Sequence, residues 1–113
     1  MRHPRAVLFS GEKPFPILPA VDHYAGSEKL MRKALQLQNE LGPIFDITCD
    51  CEDGAHAGAE REHAEMAAAV IMSEDNRFNR VGARVHDVTH ANWRQDMEIL
   101  VGQAGSRLPF ITL

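Results

Sequence analysis

The segment from Ile44 to Gly54 constrains the fold of this chain more than any other part of the sequence. Read as a strand, with a period of two residues, it has one apolar face and one polar face. The apolar face carries Phe45, Ile47, Cys49 and Cys51, and the polar face carries Asp46, Thr48, Asp50 and Glu52. Asp50, Glu52 and Asp53 crowd the C-terminal end before Gly54 allows a sharp turn. Because functional groups of α/β proteins gather at the carboxyl ends of strands, the segment predicts an active-site edge.

Helical patterns alternate with strand patterns on both sides of this segment. The first helix is predicted between an N-cap at Ser27 and a stop at Gly42-Pro43, and two more are predicted over 59–73 and 91–103. Their apolar stripes are, in order, Leu30, Met31, Ala34, Leu35, Gln38 and Leu41; Ala64, Ala67, Ala68 and Ile71; and Trp93, Met97, Leu100 and Val101. The third stripe is predicted to be buried. Strands are predicted over 15–21, 44–52, 80–86 and 109–113.

This order of elements predicts an α/β fold of parallel βα repeats with helical crossovers. A doubly wound sheet buries both faces of its strands, whereas the strands predicted here are apolar on one face only, which favours a barrel. A complete (β/α)₈ barrel takes about 250 residues. We therefore expect residues 1–113 to be the N-terminal part of a single TIM-barrel domain. The chain alone is expected to be inactive, because three or four strands cannot close a barrel.

Composition narrows the possible functions. A formal net charge of −4 argues against a nucleic-acid partner held by phosphate neutralisation. No apolar run approaches the length of a membrane span. Cys49 and Cys51 point to the same side of a strand, where a disulfide between them would distort the backbone. We expect both thiols to be reduced and buried, as in a cytoplasmic protein.

Arg84 is the candidate partner of the acidic strand end. Glu52 and Asp53 would repel each other and Asp50 unless a cation neutralises them. Arg84 lies on the polar face of the next predicted strand and could also clamp the carboxylate of a small keto acid. A Mg²⁺ ion held by one or two carboxylates and several waters is the other candidate. A structural Arg–Asp pair that bridges two strands would explain the same residues without any function.

The histidines add weaker candidates. Cys49 and Cys51 with His56 and His63 do not match the spacing of a zinc site, so buried cysteines are the better interpretation. His23 follows the first predicted strand, and His86 shares a face with Arg84. Either could be a general acid or base, although a lone histidine is more often a solvated or hydrogen-bonded residue.

Three features together resemble the HpcH/HpaI aldolase and citrate lyase beta-subunit family, which includes malyl-CoA lyase-like enzymes. The run Asp50-Cys51-Glu52-Asp53-Gly54-Ala55 is similar to that family's Asp-x-Glu-Asp-Gly/Ala strand end, and Ala83-Arg84-Val85-His86 is similar to its Val-Arg-Val-Asn strand. The order of elements also agrees, with the helix that begins at Ser27 following the first strand. His86 replaces the usual Asn, and Ile17-Leu18-Pro19-Ala20 lacks the glycine usual after the first strand.

The resemblance implies a (β/α)₈ barrel, a Mg²⁺ ion and reversible cleavage of a carbon–carbon bond in a 3-hydroxyacyl-CoA or a 2-keto-hydroxy acid. It implies that Arg84 holds the keto-acid carboxylate. His86, on the same face as Arg84, is a second candidate for substrate binding. The resemblance also implies that Glu52 and Asp53 contact Mg²⁺ through waters and help to polarise the substrate, while the direct metal ligands lie beyond Leu113.

Two functional hypotheses follow from these features. The first is a Mg²⁺-dependent carbon–carbon lyase, cytoplasmic and homo-oligomeric, that acts on a small keto acid or acyl-CoA without nucleic-acid or membrane partners. The second is a non-catalytic α/β domain that binds a small anion or a partner chain, in which Glu52, Asp53 and Arg84 form a structural network.

Overall fold

Strands and helices alternate throughout the computed structural model, which describes residues 22–54 and 56–113. The strands are β1 (Asp22–Ala25), β2 (Asp46–Asp50), β3 (Val81–Arg84) and β4 (Ile111–Thr112). The helices between them are α1 (Glu28–Leu41), α2 (Glu60–Met72) and α3 (Trp93–Ala104). The strand predicted over 15–21 lies outside the described residues, and the first described strand begins at Asp22.

All neighbouring strands are parallel, and the sheet order is β1-β2-β3-β4. Each strand therefore lies beside the one before it, with no reversal of the kind that defines a doubly wound sheet. This one-directional winding is that of a (β/α)₈ barrel. The predicted fold class, an α/β fold of parallel βα repeats like those of such a barrel, is confirmed.

The two faces of the sheet divide as the alternation predicts. Ile47, Cys49 and the β3 residues beside them are fully buried in a core shared with the helices. Asp46, Thr48 and Asp50 lie on the opposite face, which would be the inner face of a barrel. The ring of Phe110 covers Gly82 on that inner face so closely that a Cβ there would lie 2.4 Å from the ring.

Helix α1 has two apolar stripes rather than one. Ser27 caps it through its side-chain oxygen, which accepts a hydrogen bond from the Leu30 backbone N–H at 3.2 Å, and the chain leaves it at Gly42 with φ 87°. The buried positions are Met31, Ala34, Leu35 and Gln38. Leu30, Leu37 and Leu41 are 53%, 38% and 59% exposed. Leu30 and Leu41 of the predicted apolar stripe are therefore exposed, because only one stripe faces the sheet.

Helices α2 and α3 pack mainly against each other and the sheet. The predicted stripe Ala64, Ala67, Ala68 and Ile71 is buried as expected, and its small side chains allow α2 to pack closely. In α3 the buried positions are Asp96, Ile99, Leu100 and Ala104, with Trp93 and Met97 packed partly against the core. Val101 is 52% exposed, so its predicted burial is wrong. No helix in the described ranges is both long and apolar enough to cross a membrane.

Candidate functional site

Asp50 and Arg84 face each other at the carboxyl ends of β2 and β3. They are direct partners in the strand register, so their side chains emerge side by side on the inner face. Arg84 Nε donates to Asp50 Oδ1 at 3.0 Å, and Arg84 Nη2 donates to Asp50 Oδ2 at 2.6 Å. The pair is a bidentate, charge-assisted contact, which fixes the guanidinium plane as well as its position.

Asp50 also shapes the loop that follows its own strand. Its Oδ1 accepts the backbone N–H groups of Glu52 and Asp53, at 3.0 and 3.1 Å. Burial alone would raise the pKa of Asp50, but the hydrogen bonds from Arg84 and these two amides outweigh it and lower that pKa below its ordinary value. Asp50 is therefore a buried carboxylate that holds both Arg84 and the loop carrying the other two acids.

Glu52 and Asp53 lie at the open side of this arrangement. Asp53 Oδ2 accepts from Arg84 Nη2 at 2.8 Å, and Glu52 Oε1 lies 3.8 Å from Arg84 Nη1. The Asp53 side chain is 75% exposed and that of Glu52 is 37% exposed. The acids around Arg84, Asp50 foremost, raise the pKa of the Arg84 guanidinium above its ordinary value. One arginine facing three acids leaves an excess of negative charge, which suits a divalent cation.

We call Asp50, Glu52, Asp53 and Arg84 the rim cluster. The structure brings together the three acids and the arginine that the sequence predicted as a site. Three of the five N–H groups of Arg84 are used within the cluster. Its Nη1 makes no hydrogen bond to any described residue, so two N–H groups remain for a ligand.

The sequence did not predict a role for Tyr24 at the site, and it predicted Gly54 only as a turn residue. Tyr24 of β1 places its ring 5.0 Å from the Arg84 Cζ atom, a cation–π distance. Gly54 approaches the loop after β1 so closely that a Cβ would lie 2.3 Å from the Asp50 carbonyl oxygen and 2.4 Å from that of Gly26. The aromatic residue at a strand end was the available signal for Tyr24, whereas the close approach at Gly54 depends on tertiary structure.

Cys49 and Cys51 are free thiols in the core. Burial raises the pKa of Cys49 to about 12 and also raises that of Cys51, so both are neutral thiols. His63 of α2 lies with its Nε2 atom 2.8 Å from the Asp50 carbonyl oxygen, which supports the end of β2 from outside. Within 22–54 and 56–113, no group of three or more His, Cys, Asp or Glu side chains could hold a metal ion by itself.

His23 and His86, the two candidate general acids or bases, lie in different surroundings. His23 is part of β1 rather than the loop after it, and its ring meets Phe45 edge-on at 6.4 Å. It lines an apolar cavity of about 320 Å³ beside α1, not the rim cluster. Strand β3 ends at Arg84, so His86 follows the strand instead of ending it. The imidazole of His86 is hydrogen-bonded to Asp96 of α3. Asp96 was missed because a helix pattern gives no reason to bury an acid.

Comparison with known proteins finds similar chains among solved structures. The chain is similar to a citrate lyase from Burkholderia xenovorans LB400, whose crystal structure was solved at 2.24 Å. The two are 56% identical and superpose with a TM-score of 0.80. The match covers 88% of this chain but only 31% of the citrate lyase chain. No family model and no curated protein matches the chain.

Proposed function

We propose that this chain forms the first βα units of a Mg²⁺-dependent carbon–carbon lyase that cleaves a 3-hydroxyacyl-CoA or a 2-keto-hydroxy acid. The observation that carries the proposal is the rim cluster, in which Asp50 clamps Arg84 at the carboxyl end of β3 and leaves Nη1 open. Its position at the carboxyl ends of consecutive parallel strands is where barrel enzymes carry their chemistry. The similarity to a citrate lyase supports the same class of reaction.

Arg84 would bind the carboxylate of the substrate. Asp50 occupies the Nε–Nη2 edge of the guanidinium, so a ligand carboxylate would approach the end formed by Nη1 and Nη2. The exposed Asp53 now uses one N–H group at that end and would have to move aside. Because Asp50 and the loop amides fix the guanidinium before the substrate arrives, little ordering is needed at the moment of binding.

Glu52 and Asp53 are the residues that would hold Mg²⁺, through waters of its hydration shell. Two carboxylates that keep exposed oxygens and carry excess negative charge fit this indirect role. The direct ligands, a Glu and an Asp, are expected on later strands beyond Leu113. When bound, Mg²⁺ would supply Lewis-acid stabilisation of the charge that develops on the substrate oxygen. We further propose that the protein is cytoplasmic and homo-oligomeric.

The test compares two arginines on the intact gene product, with pyruvate as the probe and Mg²⁺ present. Arg84→Ala should weaken pyruvate binding by about 10- to 150-fold, because a hydrogen-bonded charge partner is lost. Arg80→Ala is the matched control, since Arg80 bridges β3 to Asp46 of β2 at 2.9 Å at the opposite end of the strands. Calorimetry that finds equal pyruvate affinity in the two variants would refute the assigned role of Arg84.

One observation favours the non-catalytic alternative, in which the rim cluster is structural. Most of the N–H groups of Arg84 already donate hydrogen bonds to Asp50 and Asp53. This is what an ion-pair network with only a structural role, joining two strands, would show. Under that hypothesis, millimolar Mg²⁺ should leave the melting temperature of the intact gene product unchanged. Under the lyase proposal, Mg²⁺ should raise that temperature, and the Glu52→Gln/Asp53→Asn double variant should reduce the increase.

A further inference from the structure

His86 and Asp96 form a buried pair at the end of the sheet that carries the rim cluster. Asp96 Oδ2 lies 2.5 Å from His86 Nδ1 and also accepts the His86 backbone N–H at 3.1 Å. The Asp96 side chain is fully buried, and that of His86 is 7% exposed. Two contacts to one oxygen hold the imidazole in a single position, two residues along the chain from Arg84.

This geometry fixes which ring nitrogen carries the proton. With Asp96 ionised, its oxygens only accept hydrogen bonds, and the contact then assigns the proton to Nδ1. The lone pair of the neutral imidazole is then on Nε2, and no described residue is hydrogen-bonded to that atom. The ring of His90 stacks on His86 with centroids 4.3 Å apart and covers one face.

Among the described residues, His86 is the basic side chain that lies beside the buried Asp96. Among the described residues, neither a lysine nor an arginine forms an ion pair with Asp96, although burial of an uncompensated carboxylate is costly. The Oδ1 atom of Asp96 has no hydrogen-bond partner within the described ranges. Cys51, whose pKa is raised by burial and then by Asp96, stays a neutral thiol and gives no compensation. His86 is therefore the described side chain that is placed to share a proton with Asp96.

We propose that Asp96 is a positioning residue that holds His86 as the proton acceptor of the site, with Nε2 available to a hydroxyl-bearing substrate bound at Arg84. This inference rests on the proposed lyase function. In the proton step, the substrate O–H bond breaks, its proton forms a bond to Nε2, and the electron pair of that bond stays on the substrate oxygen. The resulting imidazolium is paired with Asp96 through Nδ1–H.

The first test is spectroscopic and needs no activity. In the intact gene product labelled with ¹⁵N-histidine, the His86 signals are identified by their loss in His86→Gln. In the neutral ring, Nδ1 should have the chemical shift of a protonated nitrogen and Nε2 that of an unprotonated one. Asp96→Ala should release this preference. A wild-type His86 that carries its proton on Nε2 would overturn the assignment of Asp96.

The second test separates positioning from binding. Asp96→Asn should lower kcat for cleavage of a hydroxy acid by about 100-fold, within the range of general acid–base catalysis. Its KM should stay within about twofold, because the carboxylate-binding Arg84 is intact. Glu98→Gln, which neutralises an exposed acid of the same helix, should leave both constants unchanged. An unchanged kcat in Asp96→Asn would contradict the positioning role. A wild-type protein without cleavage would instead refute the lyase function, and the tautomer measurement would still decide what Asp96 does.

Discussion

The clearest quantitative prediction concerns the two arginine–aspartate pairs that join β2 to β3. The Arg84–Asp50 pair has two hydrogen bonds, and its side chains are 26% and 9% exposed. The Arg80–Asp46 pair has one hydrogen bond, and its side chains are 33% and 25% exposed. Breaking a buried pair costs about 3–5 kcal/mol, and breaking a surface pair costs about 0–1 kcal/mol. Because Arg84 is partly exposed, we expect Arg84→Ala to cost about 2–4 kcal/mol and Arg80→Ala about 1 kcal/mol.

The assay is urea unfolding of the intact gene product, followed by circular dichroism, as a double-mutant cycle for each pair. The coupling energy of Arg84 with Asp50 should be about 1.5–3 kcal/mol, and that of Arg80 with Asp46 below about 1 kcal/mol. Asp50→Ala should cost about 1 kcal/mol more than Arg84→Ala, because it also leaves the Glu52 and Asp53 amides without their acceptor. Equal coupling energies for the two pairs would refute this reasoning.

The same pair predicts how stability changes with pH. The pKa of Asp50 is lower in the folded state than its ordinary value of about 3.9. Its stabilising contribution is therefore complete at pH values above about 4 and is lost as the pH falls through the folded pKa. Asp50→Asn cannot titrate at this position, so its unfolding free energy should fall less steeply with acid than that of the wild type. Parallel pH profiles for the two proteins would contradict the lowered pKa.

Three further predictions concern single positions. Gly54→Ala should destabilise the protein by about 1–3 kcal/mol in urea unfolding, because a Cβ would lie 2.3 Å from a carbonyl oxygen. A Cβ at Gly102 in α3 would meet no atom within 4 Å. Gly102→Ala should therefore stabilise the protein by about 0.5–1 kcal/mol. Asp53→Asn should strengthen pyruvate binding by about two- to fivefold when Mg²⁺ is absent, because it removes a carboxylate that competes with pyruvate for Arg84. Weaker binding of pyruvate in calorimetry would contradict that competition. Cys49 and Cys51 should react with a thiol reagent only after unfolding, and rapid labelling of the native protein would show that they are accessible.

The sequence predicted those parts of the molecule that depend on local periodicity. Alternation along 44–52 identified the two faces of β2 and placed Asp50 near Arg84, because the carboxyl ends of parallel strands lie at one edge. It could not tell which apolar residues of α1 face the sheet, since Leu30 and Leu41 continue a second stripe of the same helix. That choice depends on how the helix is rotated against its neighbours.

The parts of the site that the sequence did not reveal depend on contacts between distant segments. Asp96 is buried, and His86 provides both hydrogen bonds that its side chain makes to described residues. No sequence pattern within α3 predicts that partner. Gly54 was predicted as a turn residue with special backbone freedom. In the structure it is required instead by the close approach of Gly26 and the Asp50 carbonyl. The strand predicted over 15–21 lies outside the residues that the structure describes.

The two arginine–aspartate pairs also set the alignment of β2 against β3. Both pairs join residues 34 positions apart in the chain, and they stand at opposite ends of the same two strands. A slip of two residues would keep the apolar face inside the core but would break both pairs at once, so the pairs select one register among those that hydrophobic burial allows. In a closed barrel, the sum of such offsets determines the strand tilt and the internal width. Changes in the length of the loops around α2 should therefore leave the geometry between these strands unaltered.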